Sequence, residues 1–224
     1  MTIVLDEQTI LDQLLRSPRL PMVARKIEKV LADEAAQRQA FYAQITEGDK
    51  VEYINGEIIF HSPVKLRHNT ASGHLYRLLS TFVMLYDEGY VGYEKLLIAL
   101  TRNDYEPDIC YFNEAKSAHF SADQMKFPAP DFAVEVLSDS TAANDRGVKF
   151  QDYADHGVQE YWIIDPTAET LEQYRLVAGR YDLMMKSGSG EVTSIVLPQF
   201  QIPVRAIFDD LVNRDTLRTI LSAA

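Results

Sequence analysis

Between Met22 and Ile45 the chain carries no glycine or proline, and Val23, Ile27, Val30, Leu31, Ala35 and Phe41 recur at roughly helical spacing. That spacing predicts one long amphipathic helix. Its other face is charged and mixed, which suits a surface or subunit-packing arm better than a buried span. Pro18 and Pro21 fence it from a shorter helix near Thr9 to Leu15. Val51 to Phe60 then reads as two strand-like runs joined by Asn55-Gly56, a pair that tolerates the positive φ angles of a tight hairpin. From Lys65 to Asp87, Leu75, Leu78, Leu79, Phe82, Val83 and Tyr86 define an apolar helix face, with Gly89 placed as a C-terminal cap.

Apolar runs at Tyr90 to Leu100, Pro107 to Phe112 and Phe132 to Leu137 predict strands. Ala142 to His156, stopped by Gly157, predicts a helix, and Glu160 to Asp165 a further strand. Strand, helix and strand within about thirty residues is the pattern of a right-handed crossover between parallel strands. The sheet is therefore expected to be mixed, antiparallel at the hairpin and parallel here. Leu171 to Leu176 and Arg180 to Met185 predict an antiparallel pair about Ala178-Gly179. A short strand near Ile195 and a helix from Phe208 to Leu221 close the chain. No internal repeat or long linker divides it.

Composition narrows the function classes. The 224 residues are 46% hydrophobic, enough for a core, so a disordered or fibrous chain is excluded. Lys plus Arg number 22 against 33 Asp plus Glu, a formal charge of −11, which argues against a simple electrostatic coat for nucleic acid. A local basic track stays open, because phosphate contacts depend on where the cations sit. The single cysteine, Cys110, cannot form an internal disulfide or a thiolate metal site, which fits a reducing compartment with the cytoplasm as default. Asp6, Glu7 and Asp12 interrupt the first fifteen residues, so no export signal is read there. No stretch approaches the roughly 20 uncharged residues of a membrane-spanning helix.

Three acids stand at strand positions: Glu57 just after the hairpin turn, Asp108 after Pro107, and Glu135 inside Phe132-Ala133-Val134-Glu135-Val136-Leu137. Glu135 is the most telling. An ionised carboxylate in an apolar strand costs several kcal/mol unless a cation or hydrogen bonds compensate it. If Asp108 and Glu135 come from neighbouring strands and share a face, they form the hard-oxygen pair that Mg²⁺ prefers. The cation that phosphodiester chemistry also needs could be Lys149, 14 residues after Glu135 on the following helix, with Tyr153 one turn on. Taken singly, Glu57 reads as a solvent-facing hairpin residue and Lys149 as a solvated helix cation. Only the constellation points to chemistry. The five histidines lack zinc-type spacing; His68, at the start of the helix after the hairpin, is placed to orient a carboxylate or touch phosphate. Asp131, at the start of Glu135's strand, is expected behind the site, and Tyr161 and Trp162 in the core.

Pro107-Asp108, followed 27 residues later by Glu135 in a hydrophobic strand, resembles the bipartite signature of the PD-(D/E)XK nucleases, the restriction-endonuclease-like superfamily. Pro130 to Ser138, Asn144-Asp145-Arg146-Gly147-Val148-Lys149 and Gly157 to Pro166, in that order, resemble a bacterial family of candidate restriction endonucleases. The similarity runs from about Glu52 to Leu176. One position departs from the superfamily pattern: Leu137 stands two residues after Glu135, where lysine is expected. In the family it resembles the lysine has migrated to the next helix, which here means Lys149.

The resemblance implies an α/β restriction-endonuclease-like fold, a central mixed sheet flanked by helices, with an N-terminal helical arm over 1–47 and the nuclease domain over 48–224. It implies Mg²⁺ or Mn²⁺ on Asp108 and Glu135, with Glu57 joining directly or through water, and Lys149 neutralising charge on the phosphate. The expected activity is hydrolysis of DNA phosphodiesters by a homodimer. Lys65, Arg67, Arg77, Lys95, Arg102, Lys126 and Arg146 lie in the same half and could form a local positive rim. The alternative is a catalytically inactive nuclease-fold module that binds nucleic acid or protein, a reading the overall acidity favours.

Overall fold

The computed structural model describes residues 7–46, 48–86 and 88–223. Residues 1–6, where no export signal is read, lie outside the described residues. So do Glu47, the expected end of the arm, and Asp87, the expected end of the third helix.

Helices α1 (Glu7–Leu15) and α2 (Leu20–Gln44) form the N-terminal arm, with Pro21 in the first turn of α2, where its missing N–H leaves no bond unmade. The far end of α2 is anchored: Phe41 packs on Tyr53, and Arg38 Nε donates to Asp104 Oδ2 at 2.6 Å. Strands β1 (Val51–Ile54) and β2 (Glu57–Phe60) form the expected hairpin, with Asn55 and Gly56 at φ of 51° and 89°. Helix α3 (Leu66–Tyr86) follows, then β3 (Tyr90–Tyr93) and β4 (Leu97–Ala99). The single strand expected over Tyr90 to Leu100 is thus two, broken where Glu94 turns to a φ of 52° and donates its N–H to the Asp108 carbonyl.

Next come β5 (Asp104–Tyr105), β6 (Ile109–Phe112), α4 (Glu114–Ser117), β7 (Lys126–Phe127) and β8 (Phe132–Val136). The helix expected over Ala142 to His156 is divided into α5 (Ala142–Asp145) and α6 (Val148–Asp155) at Gly147, where a Cβ would meet the Ala143 carbonyl oxygen at 2.7 Å. Strands β9 (Glu160–Asp165), β10 (Thr170–Val177) and β11 (Arg180–Ser187) match their predicted positions. The strand expected near Ile195 falls instead on either side of it, as β12 (Glu191–Thr193) and β13 (Gln201–Pro203), before α7 (Asp210–Ala223).

Among the described residues the strands form two mixed sheets and a small ribbon. One sheet runs β2-β1-β5-β4-β7, the other β11-β10-β9-β8-β6-β3, and β12 pairs with β13. As the crossover pattern requires, β8 and β9 are parallel, whereas β6 and β8 are antiparallel. Period-two alternation sorts the large sheet into two faces. Ile109, Tyr111, Phe132, Val134, Val136, Trp162 and Ile164 pack beneath α3 and α7. Cys110, Phe112, Ala133, Tyr161 and Ile163 face the other way, into a second core with Ile98 and Tyr105 of the small sheet and Tyr153 of α6. The site lies at the edge of this second core.

Candidate active site

Strand register brings the two principal acids together. The β6–β8 pairing sets Ile109 opposite Val134 and Cys110 opposite Ala133; continued by one residue, it sets Asp108 opposite Glu135. Both side chains then project from the Cys110 and Ala133 face. The Val136 N–H donates to Asp108 Oδ2 at 2.8 Å, tying the loop acid to the neighbouring strand.

Lys149 joins them from α6. It is only 1% exposed, and its Nζ lies 3.1 Å from Glu135 Oε1, 2.8 Å from Glu52 Oε1 and 3.1 Å from Asp145 Oδ1. Tyr153, one helical turn beyond, donates its hydroxyl to the same Glu135 oxygen at 3.1 Å. The break at Gly147 leaves Asp145 at the end of α5 and Lys149 in the first turn of α6, so an i,i+4 ion pair spans two helices. Burial works against the charge on Lys149, but Glu135, Glu52 and Asp145 outweigh it and hold its pKa well above the ordinary lysine value. Burial, only partly opposed by Lys149, pushes Glu135 well above the carboxylate range, and the nearby acids Asp145, Asp108 and Glu52 push it further.

Asp108 has the opposite environment. Burial alone would raise its pKa, yet the hydrogen bond from His68, the nearby Lys50 charge and the Val136 amide bring it down to about 2. His68 Nε2 stands 3.4 Å from Asp108 Oδ2, and Lys50 Nζ 3.2 Å from Oδ1. One carboxylate is thus held ionised while its neighbour is under pressure to bind a cation or a proton. Lys50, His68, Glu106, Asp108, Glu135 and Lys149 line a shared cavity of about 30 Å³, room for a water or an ion. Burial raises Glu106 to about 7.

Asp108, Glu135 and Lys149, expected together, are together. Glu57 is not with them: it is exposed on β2, across from Ile54, and does not line the cavity. The acid that the hairpin contributes is Glu52 on β1, 1% exposed, whose Oε1 also accepts from the Glu106 N–H and whose Oε2 lies 3.3 Å from His61. All four β1 residues are buried, so Glu52, like Glu135, is a carboxylate held inside a strand that solvent does not reach. Asp145 was signalled by its position four residues before Lys149. Asp131 sits elsewhere, accepting from the Asn113 N–H and pairing with Lys116. Among the rim cations, Arg102 pairs with Glu34, Arg146 with Glu172, and Arg77 with Asn213, while Lys126 lies over the Tyr42 ring.

Among the described residues, no three His, Cys, Asp or Glu side chains stand close enough to hold a metal by themselves. Asp108 and Glu135, two of the three buried carboxylates on this small cavity, offer hard oxygen donors that fit an ion such as Mg²⁺, which completes its shell with water and phosphate. Among the described residues no helix is long and apolar enough to cross a membrane.

A family model, Uma2, described as "Putative restriction endonuclease", matches residues 38–205. Two curated relatives from Synechocystis sp., each described as an uncharacterized protein, are 32% identical over 167 residues and 31% identical over 166. The first alignment covers 73% of this chain and 90% of the relative, the second 70% and 77%. A crystal structure of a "putative nuclease belonging to DUF820" from Anabaena variabilis superposes with a TM-score of 0.65 at 19% identity, covering 79% of this chain and 96% of that one.

Proposed function

The chain belongs to the Uma2 family and has the restriction-endonuclease-like α/β fold with an N-terminal helical arm, and from that premise we propose that it is a metal-dependent DNA endonuclease. The observation that carries the reading is the arrival of Lys149, from a helix, at 3.1 Å from Glu135 in the cavity that Asp108 also lines. It supplies the cation that Leu137 does not.

In this reading Asp108 and Glu135 hold Mg²⁺ or Mn²⁺. When bound, the ion supplies Lewis-acid polarisation of the phosphate and a water of lowered pKa. Lys149, whose three N–H groups are shared among Glu52, Glu135 and Asp145, would turn the one facing Glu135 to a non-bridging phosphate oxygen and balance the charge that grows there as the bond to the leaving oxygen breaks. Glu52 and Asp145 keep the ammonium protonated and aimed. Tyr153 fixes the rotamer of Glu135, and His68 with Lys50 keeps Asp108 ionised and oriented.

A homodimer belongs to the same proposal, since cutting both strands of a duplex calls for two sites. It is supported by the exposed Leu15, Ile27, Val30 and Leu31 on the arm. The experiment is a panel of plasmid, linear and branched DNA incubated with Mn²⁺, using the parent and Glu135→Ala. Cleavage by the parent, with binding but no cleavage by the variant, supports the enzyme. Absence of cleavage on every DNA, with binding retained, identifies an inactive binding module.

A further inference from the structure

A second cavity, of about 230 Å³, opens beside the site and shares His68, Ser62, Val64, Ser138 and Ser140 with it. Its lining combines cations and apolar surface with serine and threonine hydroxyls and one acid. Lys65 and Arg67, at the start of α3, provide cations, and Pro63, Val64, Leu137 and Pro166 provide apolar wall. His68 stands between the two cavities, 6% exposed, with its Nδ1 buried and without a hydrogen-bond partner among the described residues. Such a nitrogen calls for a ligand or water to satisfy it.

We infer that this cavity holds one unpaired nucleotide of the DNA strand next to the bond that is cut, with Lys65 and Arg67 on its phosphate and its base against the apolar wall. The inference rests on the nuclease reading and adds the substrate class: DNA with an unpaired strand at the site. The cavity is smaller than the roughly 300 Å³ at which drug-sized ligand sites begin, which suits a single nucleotide unit. A base in a stacked duplex cannot turn its flat face to a protein wall; an unpaired base can, and such contacts add to the electrostatic hold on the backbone.

Asp139 sets a threshold for entry. Its carboxylate takes Lys65 Nζ at 2.6 Å across the mouth, and Arg67 lowers its pKa further. The pair is solvent-exposed, 61% at Lys65 and 88% at Asp139, so it yields readily to phosphate. In a chain of −11 net charge, Lys65 is presented here paired with an acid that substrate can displace.

The test is fluorescence anisotropy of the full chain, in EDTA, with labelled oligonucleotides of one length that are single-stranded, gapped or fully duplex. The parent binds the single-stranded and gapped probes about tenfold tighter than the duplex, which must first unpair and unstack a base to fill the cavity. Lys65→Ala and Arg67→Ala each weaken single-strand binding and lower the salt slope by about 0.7. Asp139→Asn tightens binding about threefold, the size of an exposed ion pair. Equal affinity for the duplex, or unchanged binding by both cation variants, overturns the inference. Should the parent still cleave DNA with Mn²⁺ in that case, the nuclease reading stands without it. A parent that neither binds nor cleaves any DNA brings down both.

Discussion

Glu135 on β8 and Glu160 on the adjacent parallel strand β9 are both buried, at 3% and 0% exposure, and lie on opposite faces of the same sheet. Their surroundings differ completely. Glu160 is encircled by donors: Trp162 Nε1 at 2.6 Å and Gln173 Nε2 at 2.7 Å on one oxygen, and on the other Ser194 Oγ at 2.6 Å with the N–H groups of Ile195 and Val196 at 2.7 and 3.1 Å. All five are neutral and fixed, so the acid ties the β12–β13 connection to the sheet. Glu135 has Tyr153 and one cation on a single oxygen, three further carboxylates nearby and a cavity in front. Burial alone therefore does not mark a working acid. A closed shell of neutral donors marks a structural tie; a cation, crowded acids and open space mark a group waiting for a ligand.

The largest expected effect separates the two by chemistry. Glu135→Gln should lower the initial rate of Mn²⁺-dependent plasmid nicking by on the order of a hundredfold or more. Glu160→Gln should leave the rate per folded molecule within a few-fold. Thermal melting in EDTA should reverse the ranking. Glu160→Gln weakens charged hydrogen bonds worth about 3 kcal/mol, a fall of roughly 6–12 °C for a chain of this size. Glu135→Gln removes one of several crowded acids and should cost less, or raise the melting temperature. Metal should sharpen the contrast: at a hundredfold excess over Kd, Mn²⁺ stabilises a folded protein by about 2.7 kcal/mol. That gain should appear in the parent and in Glu160→Gln and be largely lost in Glu135→Gln.

The smallest effect is in pH. Burial raises Glu160 above the ordinary 4.5 in the folded state, despite its donors. The folded protein then holds a proton there that the unfolded chain has released, so this group's contribution to stability falls as pH rises from 4.5 through the folded pKa. Glu160→Gln lacks that titration. Its deficit against the parent, from urea titrations across that window, should narrow as pH rises; a constant gap would mean that Glu160 does not titrate there.

Much of this was legible in the chain. Glu135 announced itself as an acid in an apolar strand, and Asp108 followed from the proline-aspartate step and its spacing. Glu57 misled because the hairpin alternates: Glu52 and Glu57 flank the same turn, and single-sequence periodicity does not say which end of the hairpin faces α6. Glu52 was hidden by the burial of β1 on both faces, which comes from α2 on one side and the second core with Lys149 on the other rather than from β1's own pattern. The break at Gly147 was equally hard to read, because a lone glycine inside a helical stretch does not by itself end the helix. Glu160 carried the same outward sign as Glu135, and only its partners from β10 and the segment after β12, far along the chain, tell the two apart.

The central claim is that Lys149 does from the helix what a lysine at position 137 would do from the strand. The most direct measurement compares Mn²⁺-dependent cleavage by the parent, Lys149→Met and the double variant Lys149→Met with Leu137→Lys. The account predicts that the parent cleaves, that Lys149→Met is slower by on the order of a hundredfold with DNA binding retained, and that the double variant regains much of the loss. Cleavage by Lys149→Met at the parental rate would contradict it.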